Sequence, residues 1–393
     1  MSFSVRRNLI ALYLIKVAKW MNLVMPVIVL FYNSNGLDMQ DIFMLQGVYS
    51  LTLMALEIPT GYFADIAGRK TSMLIGSMFG FSGYLIYSCF SGFWIFALAE
   101  VILGIGQSLI SGADSAMLYD TLAAKRLSPK YTMLEGRITS IGNFAEAFAG
   151  IIGGMLALIS LRTPFFVQAS VAFIALPAAL VLKEPPVRLA ARKPGWKDVI
   201  GIVRNTLITD RKLRWNTLFS AFVGSATLTM AWFAQPFFKT INIPLSWYGA
   251  IWAILNLSVG LAAMRAWKFE EKLGPARTVR IFTLILISGY FLLSFFSLKA
   301  SLLVLVVFYL ARGIATPTLR NYINLLTTSD VRATVLSVRN LVIRFTFAAL
   351  GPLFGWITDL YGLSKAFFSA GLIFGILCFT SLHYFLKYKT FES

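Results

Sequence analysis

Gly61-Tyr62-Phe63-Ala64-Asp65-Ile66-Ala67-Gly68-Arg69-Lys70 is a charged, glycine-containing stretch wedged between two long apolar runs. Glycine suits a tight connection between two crossings, and paired cations suit its cytoplasmic side. Reading outward in both directions gives about twelve apolar segments, each near the length of about 20 residues that crosses a bilayer as a helix. The stretch is the link between the second and the third.

Composition agrees with that reading. Of 393 residues, 58% are hydrophobic and 13% charged, with a mean hydropathy of +0.74, whereas charged residues make up about 25% of a soluble domain. Thirty-five Lys plus Arg against seventeen Asp plus Glu give a net charge of +18. Most of these cations fall in short links between apolar runs, so the charge reads as membrane topology and not as a nucleic-acid surface. Cys89 and Cys378 each lie inside an apolar run, and His383 is the sole histidine. A disulfide framework, a metal-ligand spacing and histidine catalysis are thereby set aside. Arg6 and Arg7 precede an apolar run as in a signal peptide, but Lys16 and Lys19 interrupt it and no small-residue cleavage site follows. The run is expected to be an uncleaved first helix.

Helices are expected near 9–31, 42–63, 71–91, 93–118, 137–160 and 164–182, then near 215–238, 247–267, 279–297, 301–324, 335–357 and 365–386. Between the two sixes, Trp196 to Arg204 carries apolar residues at helical spacing among cations, which suits a short helix lying on an anionic membrane surface. The links holding Arg6, Arg7, Arg69, Lys70, Lys125, Arg126, Lys130, Lys268, Lys272, Arg277, Arg280, Arg332, Lys387 and Lys389 carry nearly all the Lys and Arg; the opposite links hold Arg162, Lys239, Lys299 and Lys365. Both termini and the central linker are therefore expected in the cytoplasm.

The opening stretch resembles G-x-x-x-D-x-x-G-R-K, the signature of the loop between helices 2 and 3 of the major facilitator superfamily, with Gly61, Asp65, Gly68, Arg69 and Lys70 filling every fixed position. The resemblance implies an all-α membrane protein of twelve transmembrane helices in two pseudo-symmetric six-helix bundles: residues 1–182, a linker at 183–214, and residues 215–393. A weak internal repeat supports two related halves. Asp65-Ile66-Ala67-Gly68 aligns with Glu271-Lys272-Leu273-Gly274 at an offset of 206 (271 minus 65), and Ser140-Ile141-Gly142-Asn143 with Ser337-Val338-Arg339-Asn340 at 197 (337 minus 140). By the same resemblance Asp65 faces the start of helix 11 near Arg332 or Arg339, Arg69 meets Asp120, and these contacts form the inner gate.

Charged groups inside apolar spans cost about 2.5–3.5 kcal/mol each on insertion scales, so each one is a candidate for function. Lys16 and Lys19 sit at i, i+3 on helix 1, with Asn22 one turn on. They either meet an anionic group or an acid, or reach the inner surface by snorkelling. Helix 4 carries Glu100 and Asp114, and helix 5 Glu146. The superfamily's helix 4 usually shows R-x-x-x-G, but here Glu100-Val101-Ile102-Leu103-Gly104 has glutamate where arginine is expected. Asp114 is expected at a depth comparable with Lys16 and Lys19, either as a proton-exchanging pair or as a static one. Arg312, Arg320, Arg339 and Arg344 bring cations to helices 10 and 11. Arg320 falls opposite Asp114 at the 206 offset (114 plus 206).

Helix 5 reads Ala145-Glu146-Ala147-Phe148-Ala149-Gly150-Ile151-Ile152-Gly153-Gly154, similar to the antiporter motif G-x-x-x-G-P-x-x-G-G but with alanine at both earlier glycines and glycine at the proline. Gly150, Gly153 and Gly154, with Gly351, Pro352 and Gly355 on helix 11, are expected to pack where the bundles meet. No phosphate-cradling loop or Walker pattern occurs, so no nucleotide or other cofactor is expected. The expectation is a secondary transporter of the inner membrane, not an enzyme, acting as a monomer on a small molecule by alternating access. Proton-coupled export of an amphipathic or anionic organic compound leads; uptake of an anionic metabolite or metal chelate is the alternative.

Overall fold

The computed structural model describes residues 4–127, 130–185, 196–328 and 331–388. Part of the predicted linker, 186–195, and the tail cation Lys389 lie outside them. Every regular element among the described residues is helical. Among the described residues eight helical segments are long and apolar enough to span a bilayer, or nine if Met39–Glu57 and Pro59–Ala67, bent by 50° about Pro59, count as one span. The chain divides into two compact units, each with its own core.

Unit 1 comprises Met1–Leu37, Val48–Ala191 and Pro244–Ala253. The first predicted span is two helices, α1 (Val5–Trp20) and α2 (Ile28–Ser34), with an unwound stretch between. Pro26 has no N–H to continue the helical ladder and disfavours helical geometry at Met25. The freed Leu23 N–H donates to Gln168 Oε1 at 2.8 Å, and Gly153 stands against the Leu23 carbonyl so closely that a Cβ there would overlap the oxygen. The bent helix α3 (Met39–Ala67) leads to α4 (Arg69–Cys89) through Gly68 alone, at φ +98°. The predicted loop is thus one residue, and Gly61 to Ala67 are helical.

The fourth predicted span is also divided, into α5 (Phe93–Ile110) and α6 (Ala113–Ala123), across Ser111 and Gly112, the latter at φ +79° where only glycine is at ease. Helix α7 (Tyr131–Ala157) starts six residues before its predicted position, and α8 (Thr163–Val181) completes the set. The core joins Leu12 and Ile15 of α1, Met117 and Leu122 of α6, Ile138 of α7 and Ala179 of α8. Gly76 and Gly106 let α4 and α5 touch backbone to backbone.

Unit 2 comprises Asp38–Gly47, Arg192–Ile243 and Ile254–Ser393. Helix α9 (Trp196–Arg204) and a π-type turn (Asn205–Thr209) precede α10 (Arg211–Thr240), whose N-terminus is capped by Asp210 Oδ1 accepting from the Leu213 N–H at 3.0 Å. Ile202 of α9 packs on Leu213, Ile323 and Val335, while Ile200 stays exposed. Helices α11 (Leu245–Leu273), α12 (Pro275–Phe295), α13 (Leu302–Leu325), α14 (Arg332–Tyr361) and α15 (Leu363–Lys387) follow. Their interior is aromatic: Phe233 meets Phe43, Phe354 and Phe367, and Tyr290 lies against Phe308 and Phe374 while donating to the Ala226 carbonyl at 2.6 Å.

Candidate functional site

The breaks in unit 1 bring charge together. Lys16, near the end of α1, lies 3.7 Å from Asp114 Oδ2, both side chains largely shielded at 12% and 18% exposure. Asp114 is the second residue of α6, where a carboxylate is favoured by the helix's positive end, and its Oδ1 also accepts from the Ser115 N–H at 2.8 Å. A small opening is lined by Leu12, Lys16, Asp114, Ser115, Glu135 and Ile138. Ser115 Oγ shares a hydrogen with Tyr131 Oη at 2.7 Å, and the Lys16 ammonium stands 5.4 Å from the Trp20 ring. Lys19 makes no ion pair within 4 Å among the described residues, and Asn22 Oδ1 is buried with no hydrogen-bond partner among them.

The opening therefore holds one ammonium group and two carboxyls beside the hydroxyls of Ser115 and Tyr131. An ammonium beside two carboxyls is a set of groups able to pair with a charged ligand. Sequence reasoning put Asp114 within reach of Lys16, Lys19 or Arg320 but missed Glu135, Tyr131 and Ser115. The signal for the first two was present as a polar Tyr131 and Glu135 at i, i+4 just before the predicted start of helix 5.

Four further predicted residues of unit 1, Glu100, Arg69, Asp120 and Lys70, have defined places. Glu100, 4% exposed, accepts hydrogen bonds from Tyr32 Oη at 3.0 Å and Tyr87 Oη at 2.8 Å. Neither tyrosine was singled out beforehand. Arg69 pairs with Asp120 and donates to the Ala116 carbonyl at 2.6 Å, tying the start of α4 to α6. Lys70 Nζ donates to the Leu180 carbonyl at 2.8 Å, and its backbone N–H to Glu184 Oε1 at 2.7 Å. Asp65 and Glu146 are half-buried and are not part of the Lys16 opening. Gly150 and Gly154 receive Trp252 and Gly249 of the α11 segment that belongs to unit 1.

In unit 2 two of the predicted cations, Arg339 and Arg332, donate to neutral groups. Arg339, 5% exposed, donates to Ser220 Oγ and to Asn340 Oδ1 at 3.2 Å. Arg332 donates to the carbonyls of Asn324 and Thr327, closing the end of α13. Arg312 stands over the Tyr309 ring, Arg320 is exposed and Arg344 half-buried. Gly351 receives Phe43, and Gly355 the backbone of Met39 and Gln40; Pro352 lies between them within α14.

The family model of the Major Facilitator Superfamily matches residues 13–352. The chain belongs to that superfamily. An uncharacterised MFS-type transporter of Methanocaldococcus jannaschii, MJ1560, is 23% identical over 372 residues, covering 90% of this chain and 92% of the relative. The quinolone resistance protein NorA of Staphylococcus aureus is 23% identical over 214 residues, 51% of this chain and 54% of NorA, so the match spans about half of that protein's length. Among solved structures, the nucleoside transporter NupG superposes with a TM-score of 0.81 at 14% identity, covering 98% of this chain and 99% of NupG. A bacterial homologue of the human lysosomal transporter Spinster, inward-facing and unoccupied, gives 0.78 at 16%, covering 98% and 99%. These likenesses at low identity show the fold; the family match makes the chain a multi-pass membrane transporter.

Proposed function

We propose that this superfamily member exports a small amphipathic or anionic organic compound in exchange for protons by alternating access. The observation that carries the reading is the Lys16–Asp114 pair beside Glu135, shielded at the junction of two interrupted helices. Interrupted helices are where secondary transporters place substrate and coupling-ion sites. The partial similarity to a quinolone resistance protein supports export and an amphipathic substrate. In this reading the protein is monomeric in an inner (plasma) membrane with both termini in the cytoplasm, residues 1–182 and 215–393 act as two bundles, and Arg69–Asp120 braces the inner end of the first. Lys19, without an ion pair among the described residues, favours a second reading, uptake of an anionic metabolite or chelate.

Proteoliposomes loaded with a quinolone, an organic anion or a metal chelate separate the two. Export predicts efflux of the quinolone driven by an imposed pH gradient, reduced at least about tenfold by Asp114→Asn, an effect of about 1.4 kcal/mol. Gradient-independent uptake of the anion or chelate, with no response to Asp114→Asn, would overturn the export reading.

A further inference from the structure

Among the described residues, Arg312 of unit 2 is a cation with no carboxylate within 4 Å, whereas the charge of Lys16 is met by Asp114. Helix α13 runs from Leu302 to Leu325, so Arg312 stands about 15 Å from its start and about 20 Å from its end at 1.5 Å per residue. An arginine so placed is near the middle of a hydrocarbon layer about 30 Å thick, too deep to bring its head to either surface by extending the side chain. Its charge has to be met inside.

The side of α13 that carries Arg312 is the inner one. Leu303, Val307 and Leu310 are exposed and apolar, which suits lipid, and at about 100° per residue Arg312 lies on the opposite side of the helix. It shares that side with Leu305, Phe308, Leu319 and Ile323, all fully buried, yet Arg312 itself is half-exposed. A half-exposed guanidinium on a buried helix face opens on a recess beside α13. Tyr309, Arg312, Thr316 and Arg320, at i, i+3, i+7 and i+11, make one polar stripe there, with the exposed Arg320 toward the C-terminal end. Gly313 fixes the turn, since without a Cβ it lets α13 rest on the Val259 carbonyl of α11.

Two polar groups at this point await an acceptor. The Arg312 guanidinium stands 5.6 Å from the centre of the Tyr309 ring, which attracts its charge but leaves the fork of N–H donors in its plane unused. The Tyr309 hydroxyl, 1% exposed, lies beside the guanidinium without a hydrogen bond of regular geometry among the described residues. A buried phenol left so is costly. A carboxylate answers both groups, because its two oxygens accept a parallel pair of N–H groups from arginine and keep a lone pair for the phenol.

We propose that Arg312 and Tyr309 form the subsite for the anionic group of the transported compound, with a carboxylate as the class that fits. The proposal rests on the reading above that the cargo is a small organic molecule, and it selects the anionic kind.

Equilibrium binding to the purified full chain tests it, with naphthoate and its neutral counterpart naphthamide as probes, at neutral pH and without a gradient. The parent should bind naphthoate at least about tenfold more tightly than naphthamide. Arg312→Gln should abolish that preference and leave naphthamide binding unchanged, whereas Arg312→Lys, which keeps the charge and loses the fork, should retain part of it. Tyr309→Phe should weaken naphthoate alone, by about threefold or more. A parent without the preference, or an Arg312→Gln variant that keeps it, overturns the subsite. An equal loss of both probes would make Arg312 a structural cation stacked on its tyrosine and overturn it as well. Should Arg312→Gln fail to fold, modification of Arg312 by phenylglyoxal in the parent decides: naphthoate should protect it and naphthamide should not, and equal protection or none overturns the proposal. Failure of the export reading would appear in the quinolone efflux assay alone, since binding at equilibrium needs neither a gradient nor a direction.

Discussion

Unit 1 buries charge beside interruptions in its helices, whereas unit 2 keeps its helices continuous around a core of rings. Proline alone does not make the difference. Pro236, Pro317 and Pro352 lie inside α10, α13 and α14 without ending them, and Pro177 lies inside α8 of unit 1. At Pro26 two neighbours complete the break: Gln168 takes the freed Leu23 N–H, and Gly153 leaves room for the Leu23 carbonyl. A proline permits an interruption, and the packing around it decides whether one forms. One arginine of each unit makes a narrower contrast. Arg69 meets a carboxylate, while Arg339 is buried against a hydroxyl and an amide.

The sharpest way to break this comparison is at the glycines. Gly153→Ala drives a Cβ into a backbone oxygen and should destabilise by about 3 kcal/mol or more, since backbone cannot step aside as a side chain can. Gly260→Ala in unit 2, with nothing within 4 Å of the new atom, should change stability by about 1 kcal/mol at most, in the stabilising direction. Thermal unfolding of the purified full chain reads both. Equal effects would mean that the helix 1 break is not held by Gly153.

Next in size are the arginines. Asp120 is 3% exposed, so Asp120→Asn leaves Arg69 facing a neutral amide and should cost about 2–3 kcal/mol. Arg339→Gln removes hydrogen bonds to neutral partners and should cost about 1 kcal/mol. A larger loss at Arg339 would show that its neutral setting is the more demanding one.

The smallest contrast concerns single backbone groups. Gln168→Leu leaves the buried Leu23 N–H without an acceptor, at about 1–2 kcal/mol. Asp359→Ala removes an acceptor of the Met39 and Gln40 N–H groups at the partly exposed start of α3, at about 1 kcal/mol or less, because water replaces it. Hydrogen exchange at Leu23 and at Met39 should rank the same way, and a reversed rank would place the stronger restraint in unit 2.

Much of this protein was legible before any coordinates. Apolar runs near 20 residues, the cation-rich links and Gly61 to Lys70 identified a membrane-spanning superfamily member, because hydropathy and a turn signature are local properties that neighbours in space do not alter. The Lys16–Asp114 pair was also within reach, since helical depth follows from counting residues.

Which side chains meet across helices is another matter. Glu135, Ser115 and Tyr131 joined the Lys16 opening, and Tyr32 and Tyr87 closed on Glu100, through rotations of helices about their own axes that no short window of sequence records. The interruptions at Met21–Val27 and Ser111–Gly112 belong to the same class. Sequence supplied Pro26 and Gly112, which weaken a helix; only a distant glutamine and a glycine, brought alongside by the fold, gave the freed backbone of helix 1 somewhere to go.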